Sequence, residues 1–568
     1  KGAAARLGGG SGRMAEESIA RLVSAFDADG FTLKKLITVD QGLGAVAAHK
    51  TAVNYDTRKK KLCYYLEGTP YARGYAMGLL AEPRVSEMAT EFTDNVVFDF
   101  LGVEFLSKYP LLPKLLVSVL FEFSESAWLM QPSSIHEEVQ GLYDGCVKAN
   151  AKTKVTMQRL VVMNVAFDVL CAIAYTGELF REHVPQAKPE ELRLSMMCNA
   201  FSAFRSAAGG GHYFARDFMF STGGVFQNNF AHIISVPQGR AGTALYPLVS
   251  LAAPGIVGSI CAMNARGVAG GINMSPSGNC DPGSIGTNSM LLLRECAMRG
   301  GSLEGAVSVI KNTTRGVSWN YALSDGAADT ACAAEAGASW EHTDGLSYPA
   351  KELLTLLPDR VFLNAHPFFP IKKGLALRMA GVPYPDAYFR FNGGLWEWYK
   401  KERDKHVALL PGAFLPNGFI NPTPKDKNCP SNFYFAPERT YNDVLITGNH
   451  FISPEMRLCA MKPWTARITL SNTNDIQWRY DELNRQLRQT IAQQGSVNYA
   501  SAKRIAEFLA PYGQFPQYYA KNPKSRDGKA TRIEGCASVC DLKAVTMESH
   551  YGYYADEWVK TTLKRYLP

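Results

Sequence analysis

Apolar and polar positions change rhythm several times along this chain. Ala15 to Phe26 repeats apolar positions at helical spacing, and a hairpin-like stretch follows. Lys61–Glu67, rich in aromatic residues, predicts a strand. Gly68, Gly74 and Gly78 come next. Ile135–Asn150 and Thr156–Tyr175 then carry apolar residues three and four apart, which predicts two long helices. From Cys198 the period shortens. Cys198–Phe204, Tyr213–Phe218, Ala231–Val236, Gly258–Ala262 and Val268–Met274 are short strand-like runs, most of them separated by glycine or proline clusters. Asn264 to Gly267 reads as a hairpin turn. Ser289–Arg299 and Ser302–Asn312 predict helices, and Ser318–Leu323 and Thr330–Ala336, joined through Asp325 and Gly326, predict strands. Strands, two helices and strands again make an α+β pattern with the sheets inside.

Residues 341–440 break the pattern. This stretch is rich in proline and aromatic residues, among them Phe362, Phe368, Phe369, Tyr388, Phe389, Phe391, Trp396, Trp398 and Tyr399. Phe and Trp each bury roughly 150–250 Å². The segment therefore reads as an insertion that either covers the core or lines an acyl pocket, with Phe369 and Trp396 as the candidate substrate contacts. Asp443–Phe451 returns to strand. Tyr480–Gln494 and Tyr499–Ala510 predict helices, and Trp558–Leu567 predicts a terminal amphipathic helix.

Composition narrows the class. The chain has 568 residues, 46% of them apolar and 20% charged, which suits a globular protein with a sizeable core. Its +8 charge includes Lys1, Arg6 and Arg13 in an Ala/Gly-rich start that reads as a vector-derived remnant (residues 1–13). Without them +5 remains, and no long basic run points to nucleic acid. Leu111–Met130 is the most apolar span. It contains Pro113, Lys114, Glu122 and Glu125, so it reads as a core or interfacial helix, with membrane contact a lesser expectation. No secretory pattern follows Met14, which implies a cytoplasmic protein.

Twelve cysteines stand singly except Cys536 and Cys540, which have no second ligand pair at zinc spacing. No metal or cofactor is expected. Serine-hydrolase, zinc-protease and phosphate-loop motifs are absent from the sequence; Ala208 to Gly211 reads as a hairpin turn.

Cys198 stands where a helical, charged region gives way to the strand-rich part. A cysteine opening a strand is ordinarily just buried. At such a boundary it can also be released as a new N-terminus, whose α-amine, with a pKa near 8, serves as base for its own thiol. The segment from Cys198, CNAFSAFRSAAGGGHYFARDF, resembles the start of mature chains in the acyl-coenzyme A:isopenicillin N acyltransferase-like family. That family belongs to the N-terminal-nucleophile (Ntn) hydrolases and is related to the choloylglycine hydrolases. Further similarities fall at Glu67–Gly78, Pro254–Asn273, Trp319–Glu335 and Thr447–Phe451, and at Arg479.

The resemblance implies an αββα sandwich of two antiparallel sheets between helical layers. It implies a helical pro-region over residues 14–197 and an Ntn core over 198–340 and 441–568. It also implies self-cleavage between Met197 and Cys198 and a thioester at Cys198. The activity implied is amidohydrolase or acyltransferase action on an acylated small molecule or peptide, with a fatty-acyl or lipid amidase, or an unprocessed binding protein of the same fold, as alternatives. Asn273 and Asn449 are expected on neighbouring strands, donating amide N–H groups toward the oxyanion and the α-amine. Arg216 and Arg479 are expected to lower the thiol pKa. Met219 stands where the family usually has an aspartate that holds the α-amine, and Asp217 is the substitute expected. His450 reads as a core histidine and Asn264 as a turn residue.

Overall fold

The computed structural model describes residues 11–54, 57–96, 106–109, 111–187, 197–219, 225–239, 244–277, 280–339, 374–380, 443–452, 456, 463–508, 534–553 and 557–567. Their strands in chain order are β1 (Phe31–Val39), β2 (Gly42–Val53), β3 (Lys60–Gly68), β4 (Met197–Phe204), β5 (His212–Met219), β6 (Ala231–Pro237), β7 (Leu248–Ala252) and β8 (Cys261–Asn264). There follow β9 (Val268–Met274), β10 (Trp319–Asp325), β11 (Thr330–Ala336), β12 (Leu375–Met379), β13 (Val444–Thr447), β14 (Glu534–Asp541), β15 (Thr546–Tyr553) and β16 (Val559–Thr562).

Two sheets form. The larger has the order β1-β2-β3-β6-β7-β8-β9-β10-β11-β12, and the smaller β13-β4-β5-β14-β15-β16. All described pairings are antiparallel except β3 with β6, which is parallel. The sheets meet face to face where β4 and β5 approach β9, and where β11 approaches β13. Helices Pro70–Glu91 and Ser289–Arg299 lie on the larger sheet, and Pro463–Gln494 and Tyr499–Ala506 on the smaller. The fold is thus an α+β sandwich with αββα layering. Strands between a second sheet and a helical layer are buried on both faces, so β9, β10 and β11 are buried at nearly every position.

The segment before Cys198 is more than a helical unit laid on the core. It supplies β1, β2 and β3, and β3 joins β6 across the point where a cut at Cys198 would fall. Fragments on either side of that bond share one sheet. Gly74 explains part of the packing of its helices. A Cβ there would stand 1.8 Å from the carbonyl oxygen of Glu138, so glycine lets the Pro70–Glu91 and Ser133–Ala149 helices touch backbone to backbone.

Helix Met157–Thr176 is buried on every face from Leu160 to Thr176. Thr156 caps its start by accepting from the Arg159 amide, and Gly177 ends it in the left-handed region at φ 65°. By length and composition it is able to cross a membrane, and 83% of its most apolar window is buried in the protein core. Leu112–Leu129 forms a helix with one buried stripe, Leu112, Leu116, Leu120 and Ser124.

Two expectations change. Trp558–Leu567 is not a helix: Val559 and Thr561 are buried in alternation as β16 pairs with β15, and a short 3-10 turn, Leu563–Tyr566, follows. β-Branched residues at period two won over a weak helical pattern. The 341–440 segment is not wholly an excursion either, since β12 adds an edge strand beside β11. Phe369, Trp396 and the other aromatic residues singled out there lie outside the described residues.

Candidate active site

β4 and β5 form a hairpin closed by a 3-10 turn, with Gly209 and Gly210 at positive φ. Its register sets Cys198 opposite Phe218, Asn199 opposite Asp217, and Ala200 opposite Arg216. Paired residues share a face and successive ones alternate. Cys198 and Arg216 therefore point into the sandwich, and Asn199 and Asp217 point to the helical side.

Arg216 crosses to the larger sheet. It donates to the carbonyls of Ile260 (2.5 Å) and Ile272 (2.7 Å) and approaches Asn273 Oδ1 at 3.4 Å. Its path needs Gly271, where a Cβ would lie 2.6 Å from Arg216 Cδ. On the helical side Arg479 donates to Asn199 Oδ1 (2.9 Å) and to Asn449 Oδ1 (3.1 and 3.2 Å). Both guanidinium groups are almost fully buried.

Asn449 follows β13 and closes the arrangement. Its Oδ1 accepts the Cys198 main-chain N–H at 2.7 Å, and its Nδ2 donates to the Met274 carbonyl at 2.8 Å. Since Cys198 N and Arg479 are both donors, the atom facing them must be the amide oxygen. Two expectations are corrected here. Asn273 is on β9 of the larger sheet and Asn449 follows β13 of the smaller one, so they are not on neighbouring strands. Asn449 turns its acceptor, not its N–H, toward Cys198. Asn273 donates to Thr447 Oγ1 at 3.0 Å.

Asp217 does not reach the Cys198 nitrogen. Its carboxylate accepts from the Asn199 backbone N–H (2.6 Å) and from Asn199 Nδ2 (3.0 Å to each oxygen). A continuous chain of hydrogen bonds thus runs from Cys198 N through Asn449, Arg479 and Asn199 to Asp217. Burial pushes Asp217 up to about 6 against the pull of Asn199, Arg479 and Arg216. Burial is also the largest influence on the Cys198 thiol and raises its pKa. Arg216, a hydrogen bond with Asn449, and Arg479 act the other way.

Cys198, Arg216, Asp217, Asn273, Asn449 and Arg479, all singled out from the sequence, are therefore brought into one buried network. Met197 is in β4, opposite Met219. Asn264 is a turn residue: its Oδ1 accepts from the Arg266 and Val268 amides, and its Nδ2 ties the turn to Ala297 and Gly300. Sequence reasoning passed over Asn199, Asn320, Glu335, Arg378 and Thr447. The readable signal was a polar residue at an inward position of an otherwise apolar strand, as in Trp319-Asn320-Tyr321. Among the described residues no cluster of His, Cys, Asp and Glu is placed to hold a metal ion.

No family model matches the sequence. An uncharacterized protein of Archaeoglobus fulgidus is 26% identical over 511 residues, 89% of this chain and 66% of the relative, so the chain spans just under two thirds of that protein. Two solved structures are of variants of the conjugated bile acid hydrolase from Clostridium perfringens. They are 10% identical, with TM-scores of 0.30 and 0.31. The matches cover 64% and 65% of this chain and 93% of each of those chains.

Proposed function

We propose that this chain is an autoprocessing amidohydrolase or acyltransferase of the Ntn type, acting through Cys198 on the C–N bond of an acylated small molecule or peptide. One observation carries the reading: the Cys198 nitrogen is already held by Asn449 Oδ1, itself fixed by Arg479. A peptide nitrogen inside a strand has its partner in the ladder. This one is given to a buried side chain beside a thiol flanked by two arginines.

In the first stage the Cys198 thiol attacks the Met197 carbonyl carbon. The C–N bond breaks, the nitrogen takes a proton, and an ester to sulfur forms. Water then cleaves that thioester, leaving a carboxylate on Met197 and a free amine and thiol on Cys198. In the second stage the amine, held by Asn449, takes the thiol proton as sulfur attacks the substrate carbonyl. The proton passes to the departing amine, and water or an acceptor amine resolves the acyl-enzyme. Asn273 is proposed as the oxyanion donor, exchanging Thr447 Oγ1 for the developing charge. Arg216 and Arg479 favour the thiolate.

The test is intact mass and gel analysis of the purified chain over time. Wild type is expected as fragments ending at Met197 and beginning at Cys198 that remain associated through the β3–β6 pairing. A chain that stays whole and turns over amides at full rate rules the reading out.

A further inference from the structure

The inner face of the larger sheet carries a row of polar side chains where a sandwich core is ordinarily apolar. Asn273 on β9 is paired with Asn320 on β10, and Asn320 with Glu335 on β11. Glu335 is opposite Ala376 on β12, and Arg378, two residues on, projects from the same face. All four polar side chains are at most 1% exposed. Burying them without partners costs several kcal/mol apiece on the order of magnitude for unpaired polar and charged groups.

Their partners lie in one short segment of the opposite sheet. Asn273 Nδ2 donates to Thr447 Oγ1. Asn320 Nδ2 donates to both Gly448 O (3.0 Å) and His450 O (2.8 Å), bracketing Asn449. Glu335 Oε1 accepts the Ile452 N–H at 3.0 Å. Arg378 Nη2 donates to Ile446 O at 2.8 Å, while its Nε pairs with Glu335 Oε1 at 3.1 Å. The row thus grips the backbone from Ile446 to Ile452, and Asn449 lies at the middle of the gripped stretch.

We infer that Asn320, Glu335 and Arg378 are positioning residues that hold the 446–452 segment so that Asn449 Oδ1 meets the Cys198 nitrogen, an inference that rests on the nucleophile reading of Cys198. Asn320 is central because one amide group fixes the carbonyls on both sides of Asn449. Arg378 comes from the stretch that the sequence presents as an insertion. Through β12 that stretch therefore contributes to the order of the site. Apolar residues at these positions would fill the same core without aiming anything. The polar row trades cheap burial for a fixed backbone, and a misplacement of about 1 Å in such a site costs on the order of 10²-fold in rate.

The experiment uses the full chain, with Asn320→Ala, Glu335→Gln and Arg378→Lys. Hydrogen exchange of the 443–452 peptide is measured by mass spectrometry. Turnover is measured on dodecanoyl 7-amino-4-methylcoumarin amide. Asn320→Ala is expected to speed exchange in 443–452 while the rest of the chain keeps its protection. It should lower kcat by about 10²-fold with KM within about twofold, the signature of a group acting on the transition state through its holder. Arg378→Lys loses the fork that spans Glu335 and Ile446 O and is expected to speed exchange in 443–452 with a smaller loss of kcat, which serves if Asn320→Ala fails to fold. Glu335→Gln, the conservative variant, keeps an acceptor for the Ile452 amide and is expected to keep that segment protected. Unchanged exchange in 443–452, or a loss of protection spread evenly over the chain, overturns the inference. If wild type itself neither cleaves nor turns over, the nucleophile reading fails separately. Exchange in 443–452 then decides alone whether the polar row holds the segment.

Discussion

Two buried charged clusters invite comparison. One surrounds Cys198. The other lies where the helices on the larger sheet meet: Glu138 accepts from Arg73 Nη2 at 2.7 Å and from Arg294 Nη2 at 2.8 Å to each oxygen. Arg73 also donates to Gly68 O at 2.8 Å. Burial acts to raise the Glu138 pKa, but the two arginines outweigh it and hold the carboxyl below its ordinary value. In that cluster the charges pair with one another, and its one main-chain bond is from Arg73 to the Gly68 carbonyl. Around Cys198, Arg479 reaches the Asp217 carboxylate through Asn199, Arg216 donates to the Asp217 main-chain carbonyl, and the network ends on a thiol and its own backbone nitrogen. Buried charge alone marks neither function nor stability. The difference lies in whether the network closes on itself or leaves its field on a reactive atom.

Breaking each cluster separates the two roles, and the largest effect is expected at the nucleophile. Cys198→Ala should abolish both cleavage and turnover while leaving the thermal transition near that of uncleaved protein, as read by intact mass and calorimetry. Glu138→Ala leaves two buried arginines without their carboxylate and should destabilise the fold by about 3–5 kcal/mol. Its denaturant midpoint should fall, while cleavage per folded molecule stays at the wild-type rate.

Asn273→Ala removes the proposed oxyanion donor and should lower kcat by about 10²–10³-fold with normal folding. Wild-type turnover in that variant would move the oxyanion role to another group.

Asp168 sharpens the comparison through pH. It accepts from the Ser289 amide and hydroxyl, and burial pushes its pKa up to about 7 from 3.8. The folded state then binds more protons than the unfolded state between those values, so stability contributed by this group declines as pH rises from about 4 to 7. Asp168→Asn removes that slope. Its stability relative to wild type should improve steadily from pH 4 to pH 7 in parallel melts. A constant difference across that range would show that the carboxyl titrates normally.

The smallest effect concerns the acyl group. If Phe369 and Trp396 line a pocket near Cys198, shortening the acyl chain by two carbons removes about 0.8 kcal/mol per methylene. kcat/KM should then fall roughly tenfold. Trp396→Ala should flatten that dependence. Equal rates on acetyl and dodecanoyl amides in wild type would leave the segment without a role in recognition.

The local elements were legible wherever one physical signal dominated. Ser289–Arg299 and Val268–Met274 emerged with the bounds that their apolar periods gave, and the Asn264–Gly267 turn followed from residue type. β7 and the β14–β15 hairpin were not read from sequence, because strands buried on both faces lack the alternation that marks a half-exposed one. β16 was mistaken for a helix for the related reason that four residues are too few to establish a period.

The sequence alone determined which side chains were available: a cysteine at a change of rhythm, and arginines and asparagines in apolar strands, which had to be partnered once buried. Tertiary structure decided how they were partnered. Cys198 and Asn449 are 251 positions apart, and only the antiparallel pairing of β13 with β4, with Thr447 opposite Ala200, brings one's nitrogen to the other's oxygen. It also assigned Asp217 to Asn199 rather than to Cys198, placed Asn273 and Asn449 on opposite sheets, and joined Asn273, Asn320 and Glu335 into one row. Such outcomes depend on strand register and sheet order, which long-range packing sets and local periodicity does not encode.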